Sequence, residues 1–214
     1  GQELKEMLTS ESGRTQAVQQ IVGEVSKTYS QIGRNPYEGV TIDFEGLRAP
    51  QKEAFSDFLR QLQPALQKLD KKLLVCVPPV LTTSAYYDGY DYRAIGELAD
   101  RVILMAYGYG PQNMTGFTGT EYYKTAATTP IASVYTALKY AVSEIAPSKL
   151  LLGFSAASTA WKIDENGKLV SETPVYPSNE TVIKRLSQSD TEHGWSQTYQ
   201  QSYAIYRTED GSRY

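Results

Sequence analysis

Apolar strands alternating with amphipathic helices predict an α/β fold built on a parallel sheet. Short apolar runs begin near residues 40, 73, 102 and 150, and segments with helical spacing lie between them. The first two steps, 33 and 29 residues, match a βα unit of about 30 residues. Continuous apolar runs such as 73–77 suit strands covered on both faces, as parallel sheets require.

Each element has its own signal. Val18, Ile21, Val22, Val25 and Tyr29 recur at helical spacing before Gly33 and the Asn35-Pro36 breaker, predicting a helix over 14–31. Residues 39–46 are rich in β-branched side chains between glycines and read as a strand. Pro50 suits a first helical turn, and Phe55, Phe58, Leu59, Leu62, Leu66 and Leu69 form one face of the second helix. The run 73–77 ends at Pro78-Pro79, a weaker helix covers 91–99, and 102–106 is the third strand. A loop rich in Gly, Thr and Tyr, 108–129, lengthens the next step. The stripe Ile131, Val134, Leu138, Val142 and Ile145 closes at Pro147, and the fourth strand is 150–154. Beyond it the pattern breaks. Turns at 164–167 and 209–211 and a helix near 179–188 predict a small α+β excursion, so the domains expected are 1–154 and 155–214.

Composition narrows the function. The 214 residues make one ordinary domain, and 21 basic against 24 acidic residues give −3 without a basic run, which weighs against nucleic acid and anionic membrane. No window holds 18 apolar residues, so a soluble globular chain without a membrane span is expected. Cys76, alone in an apolar run, is expected to be a buried inert thiol. His193 has no partner at ligand spacing, so neither a metal nor another cofactor is expected.

The first strand carries the chemistry. Side chains alternate faces, so Val40, Ile42 and Phe44 share one face while Thr41, Asp43 and Glu45 share the other. Ionised carboxylates within a fold cost several kcal/mol or more unless satisfied, and their Cα atoms lie about 6.6 Å apart on a strand, close enough to couple. For a lone Asp-x-Glu, a solvated edge strand or an ion-binding or structural site is the better explanation. Three companion strands make a site at a strand's C-terminal end the better reading.

The stretch Glu38-Gly-Val-Thr-Ile-Asp-Phe-Glu45 resembles the glycoside hydrolase family 18 signature, Asp-Gly-x-Asp-x-Asp-x-Glu, and looks most like the bacterial branch of spore-cortex and cell-wall N-acetylglucosaminidases. Residues 99–107 resemble that family's sixth strand and 149–154 its seventh. The resemblance implies a TIM-type (β/α)8 barrel, here an incomplete one holding strands four to seven, with an insertion after strand seven that stops before the last strand. Open barrel edges would then favour self-association.

Its implied activity is a retaining β-N-acetylglucosaminidase acting on peptidoglycan or a chitin-like polymer. Glu45 matches the general acid, Asp43 the carboxylate that orients the substrate acetamido group, and Tyr107 a hydroxyl donor to that group. Thr41, Met105 and Tyr109 are the expected substrate-binding positions. An acid working near neutral pH needs a raised pKa, which a neighbouring carboxylate in a partly dry pocket supplies. Glu38, Thr41 and Gly108 replace acids of the pattern. A noncatalytic sugar-binding relative is the rival reading, and an inactive piece of the barrel a third; Glu45 favours the enzyme. An extracellular, cell-wall or spore-envelope location in a bacterium is implied by the resemblance alone.

Eight tyrosines, Tyr86, Tyr87, Tyr90, Tyr92, Tyr107, Tyr109, Tyr122 and Tyr123, fall in or near the loops after the second and third apolar strands. A sugar-stacking wall and ordinary loop packing are both consistent with them. Trp161 and Trp195 could stack on sugar likewise, but packing in the core or the excursion is the better expectation.

Overall fold

The computed structural model describes residues 1–82, 87–121 and 127–214. Its contacts divide the chain into two compact units, Gly1–Ala106 with Thr136–Gly153, and Tyr107–Tyr135 with Phe154–Tyr214. The long loop that follows the third strand thus belongs to the same compact unit as the C-terminal segment.

The first unit opens with two helices, α1 (Gln2–Thr9) and α2 (Glu11–Ser26), where periodicity predicts a single helix over 14–31. Ser10 separates them, because its hydroxyl accepts the Gly13 N–H at 3.2 Å and caps α2. The other end is set from a distance. The Asn35 side-chain amide donates to the carbonyls of Glu24 and Lys27 at 3.0 and 2.7 Å, so α2 stops well before Tyr29.

Strand β1 (Gly39–Ile42) leads through a 3-10 turn at Ala49–Gln51 into α3 (Lys52–Gln67). Strand β2 (Lys72–Val77), helix α4 (Tyr92–Leu98), strand β3 (Arg101–Met105), helix α5 (Ile131–Glu144) and strand β4 (Leu150–Gly153) follow. All strand pairs are parallel, in the order β1-β2-β3-β4, with Ile42 beside Val75, Val75 beside Val102, and Val102 beside Leu150. The expected parallel sheet is present, with four strands among the described residues.

The helix-covered face is apolar throughout. Val75, Val77, Val102 and Leu104 are fully buried, as are Phe55, Phe58, Leu59 and Leu62 on α3. Burying each such side chain contributes about 1.5–3 kcal/mol, and a Leu62→Ala cavity would cost about 2–5 kcal/mol. Leu69, expected on that face, lies past the end of α3 and is exposed. Helix α4 starts at Asp91, whose carboxylate accepts the Ala94 N–H at 3.0 Å. Its other end is closed by the Lys149 ammonium, which donates to the carbonyls of Gly96, Glu97 and Ala99 at 2.8, 3.2 and 2.9 Å. Strands β1 and β4 form the two edges of the sheet, and Leu151 and Leu152 on β4 are both exposed.

The second unit holds α6 (Asn179–Leu186) and an antiparallel hairpin of β5 (Glu192–Ser196) and β6 (Gln201–Ile205). Asp164 builds the expected first turn, its carboxylate accepting the N–H groups of Asn166 and Lys168 at 2.9 and 2.8 Å. Ser178 caps α6 by accepting the Thr181 N–H at 3.2 Å. Among the described residues no helix is long and apolar enough to cross a membrane, and no group of three or more His, Cys, Asp or Glu is arranged to hold a metal ion.

Candidate active site

The β1 ladder ends at Ile42, so Asp43 and Glu45 sit just beyond the C-terminal end of a parallel strand, where open α/β sheets and barrels collect functional groups. Alternation continues past the ladder. Thr41, Asp43 and Glu45 are exposed, while Ile42 is buried and Phe44 half-buried against Phe55 and Phe58, with ring centroids 5.8 and 5.4 Å away. Phe44 anchors the apolar face and leaves both carboxylates on the other. At Gly46 the backbone turns with φ of +72°, and Leu47 returns to full burial.

Register defines the rest of this face. Thr41 pairs with Leu74 and Cys76 with Ile103, so Leu74, Cys76, Ile103 and Met105 point the same way as the carboxylates. Cys76 reports on them electrostatically. Burial pushes its thiol up to about 11, and the charges of Asp43 and then Glu45 push in the same direction. A buried protonated thiol is what the sequence leads one to expect at this position.

The dry pocket expected around the acid is not formed by the described residues of this unit, since Asp43 and Glu45 both face solvent. Of the other expected site residues, Met105 closes β3 beside Gly153 and is half-buried. Tyr107 and Tyr109 belong to the second unit and are half-buried, with the Tyr109 N–H donating to the Thr128 carbonyl at 2.9 Å. Gly108 between them has a φ of +72° in open surroundings, a left-handed backbone that an acidic residue would adopt only under strain.

The cluster of tyrosines resolves into different roles. Tyr90 and Tyr92 are buried at 6% and 3% exposure, and neither presents its ring to solvent as a sugar platform would. The Tyr92 hydroxyl donates to the Pro78 carbonyl, and its ring meets Tyr140 edge-on at 5.1 Å. Tyr87 is half-buried, and Tyr86, Tyr122 and Tyr123 lie outside the described residues. Trp161 packs as expected, its indole N–H donating to the Met114 sulfur at 3.1 Å. Trp195 does not, being 50% exposed on the β5 edge of the hairpin, and His193 is exposed beside it.

Parallel βα units with two carboxylates at one strand end are compatible with a glycoside hydrolase, and comparison with known proteins places the chain in that class. The family description "Glycosyl hydrolases family 18" matches residues 1–211, and the chain belongs to that family. It is 25% identical over 184 residues to the cortical fragment-lytic enzyme of Bacillus subtilis (strain 168), a match that takes in 85% of this chain and 40% of that protein. The crystal structure of the spore cortex-lytic enzyme SleL of Bacillus megaterium QM B1551 superposes with a TM-score of 0.75 at 25% identity, covering 97% of this chain and 44% of that one. A chitinase from Chromobacterium violaceum ATCC 12472 shares the fold, with a TM-score of 0.73 at 22% identity over 95% of this chain and 58% of that one. The chain spans about half, or less, of the length of the curated relatives it matches.

Proposed function

We propose that the protein is a retaining β-N-acetylglucosaminidase that cleaves peptidoglycan glycan or a chitin-like polymer with help from the substrate's own acetamido group. The observation that carries this reading is the exposure of Asp43 and Glu45 together on one face at the end of β1. In this mechanism Glu45 donates its proton to the glycosidic oxygen as the C1–O bond breaks. The acetamido carbonyl oxygen, oriented by Asp43, forms the new bond to C1, and Tyr107 donates a hydrogen bond to the same group. Glu45, now a carboxylate, takes a proton from the water that opens the cyclic intermediate. Two displacements at C1 leave its configuration as it began.

Thr41, Met105 and Tyr109 are substrate-binding positions in this reading. The four strands correspond to strands four to seven of a (β/α)8 barrel, residues 155–214 to an insertion after the seventh, and the edges β1 and β4 to surfaces through which the sheet continues or self-associates. Relatives named for the spore cortex favour peptidoglycan as the polymer and an extracellular or spore-envelope setting. NMR of the first product released from N-acetylglucosamine oligomers by the protein at its full natural length tests the mechanism. β-Anomer is expected first; α-anomer as the initial product would exclude an acetamido nucleophile.

A further inference from the structure

The turn that carries Glu45 is held by a buried hydroxyl. Tyr90 donates to the Phe44 carbonyl at 2.7 Å and accepts the Leu47 N–H at 3.4 Å, so one oxygen ties both ends of the segment whose middle residues are Glu45 and Gly46. The Tyr90 ring meets Phe55 edge-on at 6.0 Å, and Phe55 lies 5.8 Å from Phe44, so the hydroxyl is fixed through the aromatic core beneath the turn. Two neighbours add to the hold. The Asp88 carboxylate accepts the Ala49 N–H at 2.9 Å, and a Cβ at Gly89 would fall 2.3–2.5 Å from the backbone of Leu47 and Arg48.

The turn needs such a hold because the sheet does not supply one. The β1 ladder has ended at Ile42, and among the described residues no side chain hydrogen-bonds the Glu45 carboxylate. Its direction is therefore set from below, by the backbone. We propose that Tyr90 is a positioning residue, which fixes the backbone of Glu45 and thereby the direction in which the acid meets the glycosidic oxygen. This rests on the reading of Glu45 as the general acid. A misplacement of about 1 Å in a catalytic group costs up to about 10²-fold in rate, so the loss of one hydroxyl here acts on turnover more than on binding.

The test compares Tyr90→Phe with Tyr92→Phe in the protein at its full natural length. Both variants keep the ring and delete a buried hydroxyl bonded to a carbonyl, the first that of Phe44 in the Glu45 turn and the second that of Pro78. With N-acetylglucosamine oligomers, Tyr90→Phe is expected to lower kcat about tenfold or more with KM changed less than about twofold, whereas Tyr92→Phe leaves kcat within about twofold. Hydrogen exchange at the Leu47 amide is expected to accelerate about tenfold or more in Tyr90→Phe alone. Unchanged kcat and unchanged Leu47 protection in Tyr90→Phe would overturn the proposal, and so would an equal fall of kcat in both variants. If Glu45→Gln hydrolyses as fast as the parent, or neither hydrolyses, the reading of Glu45 as acid fails. Leu47 exchange then still decides whether Tyr90 holds the turn.

Discussion

Replacing Gly89 by alanine is expected to destabilise the first unit by about 1–3 kcal/mol, the range for forcing atoms into a packed site. The added Cβ would lie 2.3 Å from the Leu47 carbonyl carbon, 2.4 Å from its oxygen and 2.5 Å from the Arg48 nitrogen, all backbone atoms that no rotamer change can move. Restoring an ordinary contact of 3.4 Å requires the two loops to part by about 1 Å. Leu47 is fully buried, so the turn cannot swing outward without uncovering it. Gly23→Ala provides the control, because that glycine sits inside α2 with nothing within 4 Å of the new methyl group, and a stabilisation of about 0.5–1 kcal/mol is expected. The assay is urea unfolding followed by circular dichroism at 222 nm, since both tryptophans lie in the second unit and would report on the wrong region. The reasoning is refuted if Gly89→Ala is as stable as the parent, or shifts stability in the same direction as Gly23→Ala.

Two further predictions concern groups near the sheet. Lys149→Met removes the ammonium that closes α4 on three carbonyls; with the side chain half-buried and one charge shared among three bonds, a loss of about 2 kcal/mol is expected, seen as a fall of about 4–8 °C in Tm. Cys76 has its thiol raised from 9.0 to about 11, so the folded state holds this proton more tightly than the unfolded state does. Its contribution to stability is complete below pH 9 and is lost as the pH rises toward 11, by roughly 2 kcal/mol over that window. The difference in stability between parent and Cys76→Ala should shrink correspondingly across it; a difference independent of pH would contradict the assignment, as would rapid alkylation of Cys76 in the folded protein at pH 8.

The parallel sheet was readable because each strand is a continuous apolar run and each helix an apolar stripe, and both patterns are local. What periodicity missed depends on single side chains acting at a distance. Ser10 divides the first helix, and Asn35 ends it from beyond the chain reversal. The carboxylates were legible from alternation alone, and the structure leaves both on the exposed face. The strand there ends sooner than its composition indicates: the ladder stops at Ile42, and beyond it the Phe44 carbonyl accepts from the Tyr90 hydroxyl. For Tyr90, as for the other clustered tyrosines, sugar stacking and loop packing both stayed open because its amphipathic chemistry suits either role; burial and its two backbone partners decide for packing. The affiliation of 107–135 with the C-terminal segment comes from backbone bonds such as Ile131 N–H to the Tyr199 carbonyl at 3.4 Å, which no chain-order argument supplies.

The most direct test of the central claim is hydrolysis of N-acetylglucosamine oligomers and purified peptidoglycan by the protein at its full natural length, side by side with Glu45→Gln. That variant keeps the size of the side chain and removes the proton that Glu45 is proposed to donate. A fall in kcat of about 10² or more with substrate binding retained is the expected result. Equal turnover by the two proteins, or binding without any turnover in the parent, would contradict Glu45 as the acid.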